Sequence, residues 1–180
     1  MPLTTPPALH APQTGPAFRA HSRSLSYVQH LGAGPKEVMP FLTPTGERAW
    51  AQDWNPTVLH PASGPEGEGT VFVTAGPAHP STWWVCTEFS APSPGVPARI
   101  TYVHFTPGRD VTSIHITLEA EGPNQTLARI RYTWTALSAE GNAFVTHRTP
   151  EHFAADMQEW EAALNAALRP AARLPAPAGE

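Results

Sequence analysis

Between residues 57 and 138 the chain leaves no room for a crossover. Apolar-alternating runs at 57–61, 69–75, 82–90, 98–106, 111–121 and 125–138 follow one another across short links. The links carry turn chemistry: Gly76-Pro77, Pro94-Gly95, Pro107-Gly108-Arg109-Asp110 and Gly122-Pro123-Asn124. Parallel neighbours need a dozen or more connecting residues, so the runs predict six strands in an antiparallel meander. An earlier run, His21 to Leu31, places Leu25, Tyr27 and Leu31 on alternate positions and predicts a seventh strand.

Helices are predicted only at the two ends of this meander. Thr149 is placed to cap, Pro150 to fill the first helical position and Glu151 to meet the positive end of the dipole. Phe153, Met157, Trp160, Leu164 and Leu168 then recur every three or four residues, an apolar stripe closed by Arg169-Pro170. Before the meander, residues 34–42 predict a short helix that Pro40 limits. Thr43-Pro44 opens a second, on which Trp50 and Trp54 share a face four residues apart. Asn55-Pro56 ends it. The predicted order is strand, two short helices, six strands and a long C-terminal helix, an α+β chain whose sheet buries one face against that helix.

Composition sets the outer bounds. At 180 residues, 41% hydrophobic and 14% charged, the chain supports one domain with a real core. Its formal net charge of −4 lacks the basic footprint of a nucleic-acid binder, so no nucleic-acid partner is expected. No apolar run approaches the roughly 20 residues of a membrane span, and the first 15 residues do not read as a secretory signal. The lone Cys86 forms no internal disulfide and no thiolate metal cluster, which suits a reducing cytoplasm. Residues 1–20, with five prolines, predict a flexible arm, 21–169 the folded domain, and the Pro/Ala-rich 170–180 a tail.

Three phrases carry a resemblance: LTPTGERAWAQDWNP (42–56), TYVHFTPGRDVTSIHITLE (101–119) and RYTWTALSAEGNAFV (131–145), with FAADMQEWEAALNAAL after them. With the element order, they resemble the helix-grip fold of the START and plant-allergen-like SRPBCC superfamily, in its bacterial polyketide-cyclase-like branch. The resemblance spans about 21–169. It implies a curved seven-stranded antiparallel sheet gripping the C-terminal helix, often around a cavity.

Side-chain facing follows from hairpin register. A four-residue turn at 107–110 would set Thr106 opposite Val111, and a three-residue loop at 122–124 would set Ile116 opposite Ile130. The concave face then holds Val103, Phe105, Ile114, Ile116, Leu118, Ile130, Tyr132 and Trp134. The convex face holds His104, His115, Thr117, Glu119, Arg129, Arg131 and Thr133. A turn over 76–81 would place Phe72 beside Val85, with Trp83 and Phe89 inward and Trp84, Cys86 and Glu88 outward, where Trp84 would suit a homodimer interface.

Candidate ligand-binding residues on this reading are Trp50, Trp54, Phe72, Trp83, Phe105, Ile116, Tyr132, Trp134, Phe153, Met157 and Trp160. Tyr132 and the indole N–H groups of Trp50 and Trp134 would supply polar contacts. Glu47-Arg48 reads either as a contact to a ligand's polar end or as a helix-surface pair, and Asp53 would sit at the cavity mouth. His104, His115 and Glu119 are too few and wrongly spaced for zinc, and no other metal or cofactor motif occurs. Neither a GxSxG turn nor an activated cysteine is present, so catalytic residues stay unassigned.

Three functions fit. The first is binding of a small hydrophobic molecule, a lipid, polyketide or aromatic metabolite, between sheet and helix. The second is a polyketide cyclase or dehydratase using acid–base groups in the same cavity, favoured if a titratable group beyond Tyr132 points inward. The third, implied by the resemblance, is a protein-interaction module like the activators of a chaperone ATPase.

Overall fold

The computed structural model describes residues 18–76 and 79–169. Most of the expected N-terminal arm and all of the expected tail lie outside them. Strand β1 (Ser22–Leu31) leads to a one-turn helix α1 (Pro35–Val38) and two 3₁₀ turns, Met39–Leu42 and Gly46–Ala49. Strands β2 (Pro56–His60), β3 (Val71–Gly76), β4 (His79–Ser90), β5 (Ala98–Thr106), β6 (Asp110–Gly122) and β7 (Gln125–Ala136) follow. Helices α2 (Ala139–Thr146) and α3 (Pro150–Leu168) close the chain. The strands form one antiparallel seven-stranded sheet in the order β1-β7-β6-β5-β4-β3-β2.

α3 has the start the sequence predicts. The Thr149 hydroxyl accepts from the His152 amide, Pro150 fills the first turn, and Phe153, Met157 and Leu164 are buried. The helix also completes the exposed edge of β1. Glu161 accepts from the His30 amide (3.1 Å), while Asn165 accepts from Gly32 (2.8 Å) and donates to the His30 carbonyl (2.9 Å). Edge-strand groups that would otherwise recruit another strand are thereby satisfied within the chain.

Two expectations in the helical segments need correction. The second short helix is a single 3₁₀ turn, with Trp50 at its end and Trp54 in irregular backbone beyond it. Local bonds replace a helical face there: the Trp50 indole donates to the Phe41 carbonyl (2.7 Å) and that of Trp54 to Pro44 (2.8 Å). α2 fills the stretch between the strand expected to end at 138 and the helix capped by Thr149, where the sequence reading places no element. The Ser138 side chain caps it by accepting from the Gly141 amide, and Gly141 lies so close to the β5–β6 turn that a Cβ would fall 1.9 Å from the Arg109 carbonyl oxygen. Only glycine permits that approach.

The sheet's faces differ from expectation at two of its hairpins. β6 and β7 pair as predicted, Ile116 with Ile130 and Ile114 with Tyr132. Between β5 and β6, however, Thr106 pairs with Asp110 rather than Val111. The loop has three residues, with Gly108 in the left-handed region (φ 73°), a common three-residue hairpin geometry. One residue of slip exchanges the faces of β5. Tyr102 and His104 therefore point into the concavity, and Val103 and Phe105 point out.

The β3–β4 pairing slips in the same sense, setting Phe72 opposite Trp84. Trp84 and Cys86 are inward, and Trp83 is outward. A register shift between Cys86 and Glu88 then restores Phe89 to the inner side, paired with Ile100, and keeps Glu88 outside, where Thr101 donates to it. His115, Glu119, Arg129 and Arg131 are on the convex side as expected, Arg129 and Glu119 forming an exposed pair at 3.4 Å.

Candidate functional site

Between the concave face, the 42–54 segment and α3 lies an enclosed cavity of about 40 Å³. Its walls come from six strands, the segment between β1 and β2, and α3. Gln29 (β1), Phe72 (β3), Trp84 (β4), Tyr102 (β5), Ile114 and Ile116 (β6), and Ile130 and Tyr132 (β7) form the sheet side. Leu42, Pro44, Glu47, Trp50 and Trp54 form the side wall, and Trp160 and Leu164 the helix side.

The rings line the cavity in two groups, one around Phe72 and one around Trp160. Phe72 stacks on Trp84 (centroids 5.3 Å, 11° between planes), and Trp54 meets both edge-on. Trp50 meets Trp160 at 5.7 Å, which in turn approaches Tyr132 at 6.4 Å. Such edge and offset contacts add about 0.5–1.5 kcal/mol each beyond burial.

Of the residues expected to bind ligand, Trp50, Trp54, Phe72, Ile116, Tyr132 and Trp160 line this cavity. Trp134, Phe153 and Met157 are buried behind it as packing, Trp134 and Phe153 in edge contact at 5.6 Å. Trp83 and Phe105 are corrected: they are cross-strand neighbours on the convex face, 48% and 42% exposed, because of the two register slips. The convex placement of His104 and the outward placement of Trp84 and Cys86 are corrected for the same reason. An interface built on an outward Trp84 is thus removed.

Polar groups inside the cavity are few. The Tyr102 hydroxyl donates to the Leu42 carbonyl (2.9 Å), and the Gln29 amide donates to the Met157 carbonyl (2.8 Å). Burial pushes the hydroxyls of Tyr102 and Tyr132 well above the ordinary tyrosine range. Glu47, on the 3₁₀ turn, faces the cavity; desolvation, reinforced by the like charge of Glu66, raises its carboxyl well above the usual range. Its neighbour Arg48 instead bonds the Pro56 carbonyl (2.6 Å), so the two do not form a surface pair.

A second polar group lies nearer the β5–β6 turn. Asp110 is fully buried and accepts from Arg109 Nε (2.7 Å) and Thr112 Oγ1 (2.6 Å). The guanidinium groups of Arg109 and Arg148 both approach the Phe144 ring, at 4.1 and 4.4 Å. His104, on the adjacent strand, keeps Nδ1 buried with no partner among the described residues. Desolvation, opposed by Asp110, lowers its pKa to about 4. Cys86, inside the sheet and bonded to the Glu88 carbonyl, is pushed up to about 11 by burial, which leaves it a thiol.

Trp54 also borders an outer cleft of about 240 Å³, with Asp53, Asn55, Thr74, Thr82 and Arg109. Asp53 holds a left-handed backbone (φ 59°) beside it. Trp54 is thus the wall between the closed cavity and an open one. The lining residues missed in sequence, above all Tyr102 and Trp84, follow once Gly108 is read as the left-handed residue of a three-residue loop and the next hairpin is slipped likewise. Among the described residues no group of three or more His, Cys, Asp or Glu side chains is arranged to hold a metal ion, and no helix is long and apolar enough to cross a membrane.

A sheet of this order closed by a long C-terminal helix is the helix-grip fold. Among solved structures, a hypothetical protein from Helicobacter pylori superposes with a TM-score of 0.57 at 15% identity, over 93% of this chain and 100% of that one. A Rhizobium loti protein gives 0.54 at 12% identity, over 83% and 99%. Norcoclaurine synthase from Thalictrum flavum, solved with dopamine and hydroxybenzaldehyde, gives 0.51 at 10% identity, over 79% and 86%. No known sequence family matches the chain. No curated protein matches it either.

Proposed function

We propose that this protein binds a small, mainly apolar aromatic molecule in the cavity between sheet and α3. The observation that carries the reading is the lining itself: Trp50, Trp54, Phe72, Trp84, Tyr102, Tyr132 and Trp160 converge on one enclosed space with few polar groups. At about 40 Å³ the space is smaller than the roughly 150 Å³ that admits benzene in an engineered cavity, so entry displaces a wall. The 43–54 segment is the wall that lacks a sheet ladder, and Trp54 is its hinge side toward the outer cleft.

Burying about 300 Å² of ligand supplies roughly 7 kcal/mol. Association costs of at least about 4 kcal/mol leave about 3, weaker than millimolar. Tight binding therefore calls for polar contacts as well. Native mass spectrometry of the protein purified from its own host, set against its denatured mass, tests the reading. A reproducible excess mass that vanishes on denaturation, in the range of one small organic molecule, supports it. A bare mass, together with unchanged tryptophan fluorescence on titration with 2-naphthol, rejects it.

The second reading, an acid–base enzyme of the cyclase or dehydratase type, is favoured by one observation: Glu47, a carboxyl whose pKa desolvation and Glu66 raise, shares the cavity with Tyr132. Such an enzyme would lose turnover in Glu47→Gln while retaining binding.

A further inference from the structure

We infer that the proline-rich segment ahead of β1, residues 2–16, lies across the convex face of the sheet with its apolar side chains packed on Trp83 and Phe105. The inference is independent of the cavity and of what the cavity binds.

The convex face is divided by chemistry. One cross-strand row runs from β1 to β3 through Ser22, Thr135, Val111, Phe105, Trp83 and Val73. The row beside it passes from Ser24, Thr133 and Ser113 to Val103, Val85 and Val71. Hydroxyl side chains therefore cover the β1–β7 side, and an unbroken apolar patch covers β3 to β5 and the start of β6. Trp83 and Phe105 stand in that patch half exposed. Charge begins one row further on, at Glu88 and Arg131. Single exposed apolar residues are ordinary, but a contiguous patch marks an interaction surface.

Place, chemistry and shape select the occupant. The chain enters the sheet at Ser22, in the same row as Trp83. Asn142 of α2 fixes that entry by accepting from the His21 amide (2.7 Å) and donating to the Arg19 carbonyl (3.0 Å). Strands lie about 4.8 Å apart, which sets Phe105 about 14 Å and Trp83 about 19 Å from Ser22 along the row. Pro12, ten residues before Ser22, has a reach of about 31 Å in polyproline geometry, enough to turn out of β1 and cross the patch. Residues 170–180 leave from the other end of β1, where Asn165 of α3 bonds Gly32 and His30.

Residues 1–17 hold five prolines, Leu3 and Leu9, and no Asp, Glu, Lys or Arg, which matches an uncharged patch. Proline-rich segments dock on exposed aromatic side chains, and their fixed φ lowers the entropy lost on docking. A second copy suits this face less well. Two convex faces meet along a narrow line, whereas a stable interface buries roughly 800 Å² per partner. One extended segment can follow the curvature. Such a contact opens locally without unfolding the domain.

Backbone ¹⁵N relaxation of the full chain tests the inference. The amides of Ala8 to Thr14 are expected to approach the order parameter of rigid backbone, about 0.85, and to fall below about 0.6 when Trp83→Ser and Phe105→Ser are combined. Low order in the wild type overturns the inference, and so does high order that the double variant leaves unchanged. A dimer in sedimentation that Trp83→Ser dissociates, with the segment's amides at low order, gives the face to a second copy and also overturns it. Should the double variant not fold, Leu9→Ser combined with Pro12→Ser leaves the sheet untouched. The Trp83 indole N–H resonance, assigned by its loss in Trp83→Phe, is then expected to move. An unmoved resonance overturns the inference.

Discussion

His104 on β5 pairs across the sheet with Thr112 on β6, and its imidazole lies 4.3 Å from the Trp84 ring with Nδ1 buried. That position makes the fold sensitive to acid. In the unfolded chain the ring titrates near 6.5, whereas in the fold desolvation, partly offset by Asp110, holds it near 4. Between these values the unfolded state binds the extra proton, so stability is full above about 6.5 and falls as the pH drops toward 4, by about 3 kcal/mol. Urea unfolding from pH 7.5 to 4 measures this directly. His104→Phe should flatten that part of the profile, and a wild-type profile already flat there would contradict the inward placement.

The two faces of the sheet predict opposite outcomes for similar truncations. Trp134 is 5% exposed and in contact with Tyr132 and Phe153, so Trp134→Ala should cost about 3–5 kcal/mol. Phe105 sits only a few positions away in the sheet but on the convex side, 42% exposed. Phe105→Ala should cost less than about 1 kcal/mol, because little apolar surface leaves the core. Chemical denaturation of both variants decides, and a large loss at Phe105 would show that the convex face is buried in a stable interface.

How much of this was legible in the sequence depends on the distance over which each feature is determined. The α3 cap and stripe are local: Thr149, Pro150 and the spacing from Phe153 to Leu168 act within a few residues, and the helix begins where they say. The strands are nearly as local, because alternation and short links suffice. Facing is not. It depends on whether the turn after Thr106 contains three residues or four, and the difference lies in one backbone angle at Gly108. With that loop miscounted, Phe105 took the place of Tyr102 and His104, and the acid–base content of the concave face shrank to Tyr132 alone. Glu47 was visible as a residue, but its turn toward the cavity comes from the collapse of the expected helix into a single 3₁₀ turn. That collapse is set by packing of Trp50 and Trp54 against rings far away in sequence.

Glu47 itself should oppose stability at neutral pH in the empty protein. Desolvation raises its carboxyl above the unfolded value, so in the window above about 4.5 the fold holds a proton that the unfolded chain has lost. Stability from this group therefore declines as the pH rises from about 4.5 through its folded pKa. Glu47→Gln keeps the shape without the charge and should raise the melting temperature at pH 7–8. Little change is expected at pH 4, where both states carry the proton. Thermal melts of the two proteins at pH 4 and pH 8 check it, and a variant less stable than wild type at pH 8 would contradict a desolvated carboxyl.

Asp110 is the opposite kind of buried acid, one whose partners are present. Its oxygens accept from Arg109 Nε at 2.7 Å and Thr112 Oγ1 at 2.6 Å, and its side chain is fully buried while that of Arg109 is 24% exposed. Asp110→Asn keeps the size of the group but removes the charge that balances Arg109, whose guanidinium also donates to Thr106 and approaches Phe144. Breaking a buried pair in this way typically costs about 3–5 kcal/mol, and the partial exposure of Arg109 sets the expectation at the lower end, about 3. The change also removes the group that raises the His104 pKa, so His104 should titrate still lower in the variant. Denaturant unfolding at pH 7 measures the first effect, and the His104 ring resonances followed by NMR through pH 3–7 measure the second. An unchanged His104 titration would mean that Asp110 stabilises the β5–β6 turn through Arg109 alone, without reaching the concave face.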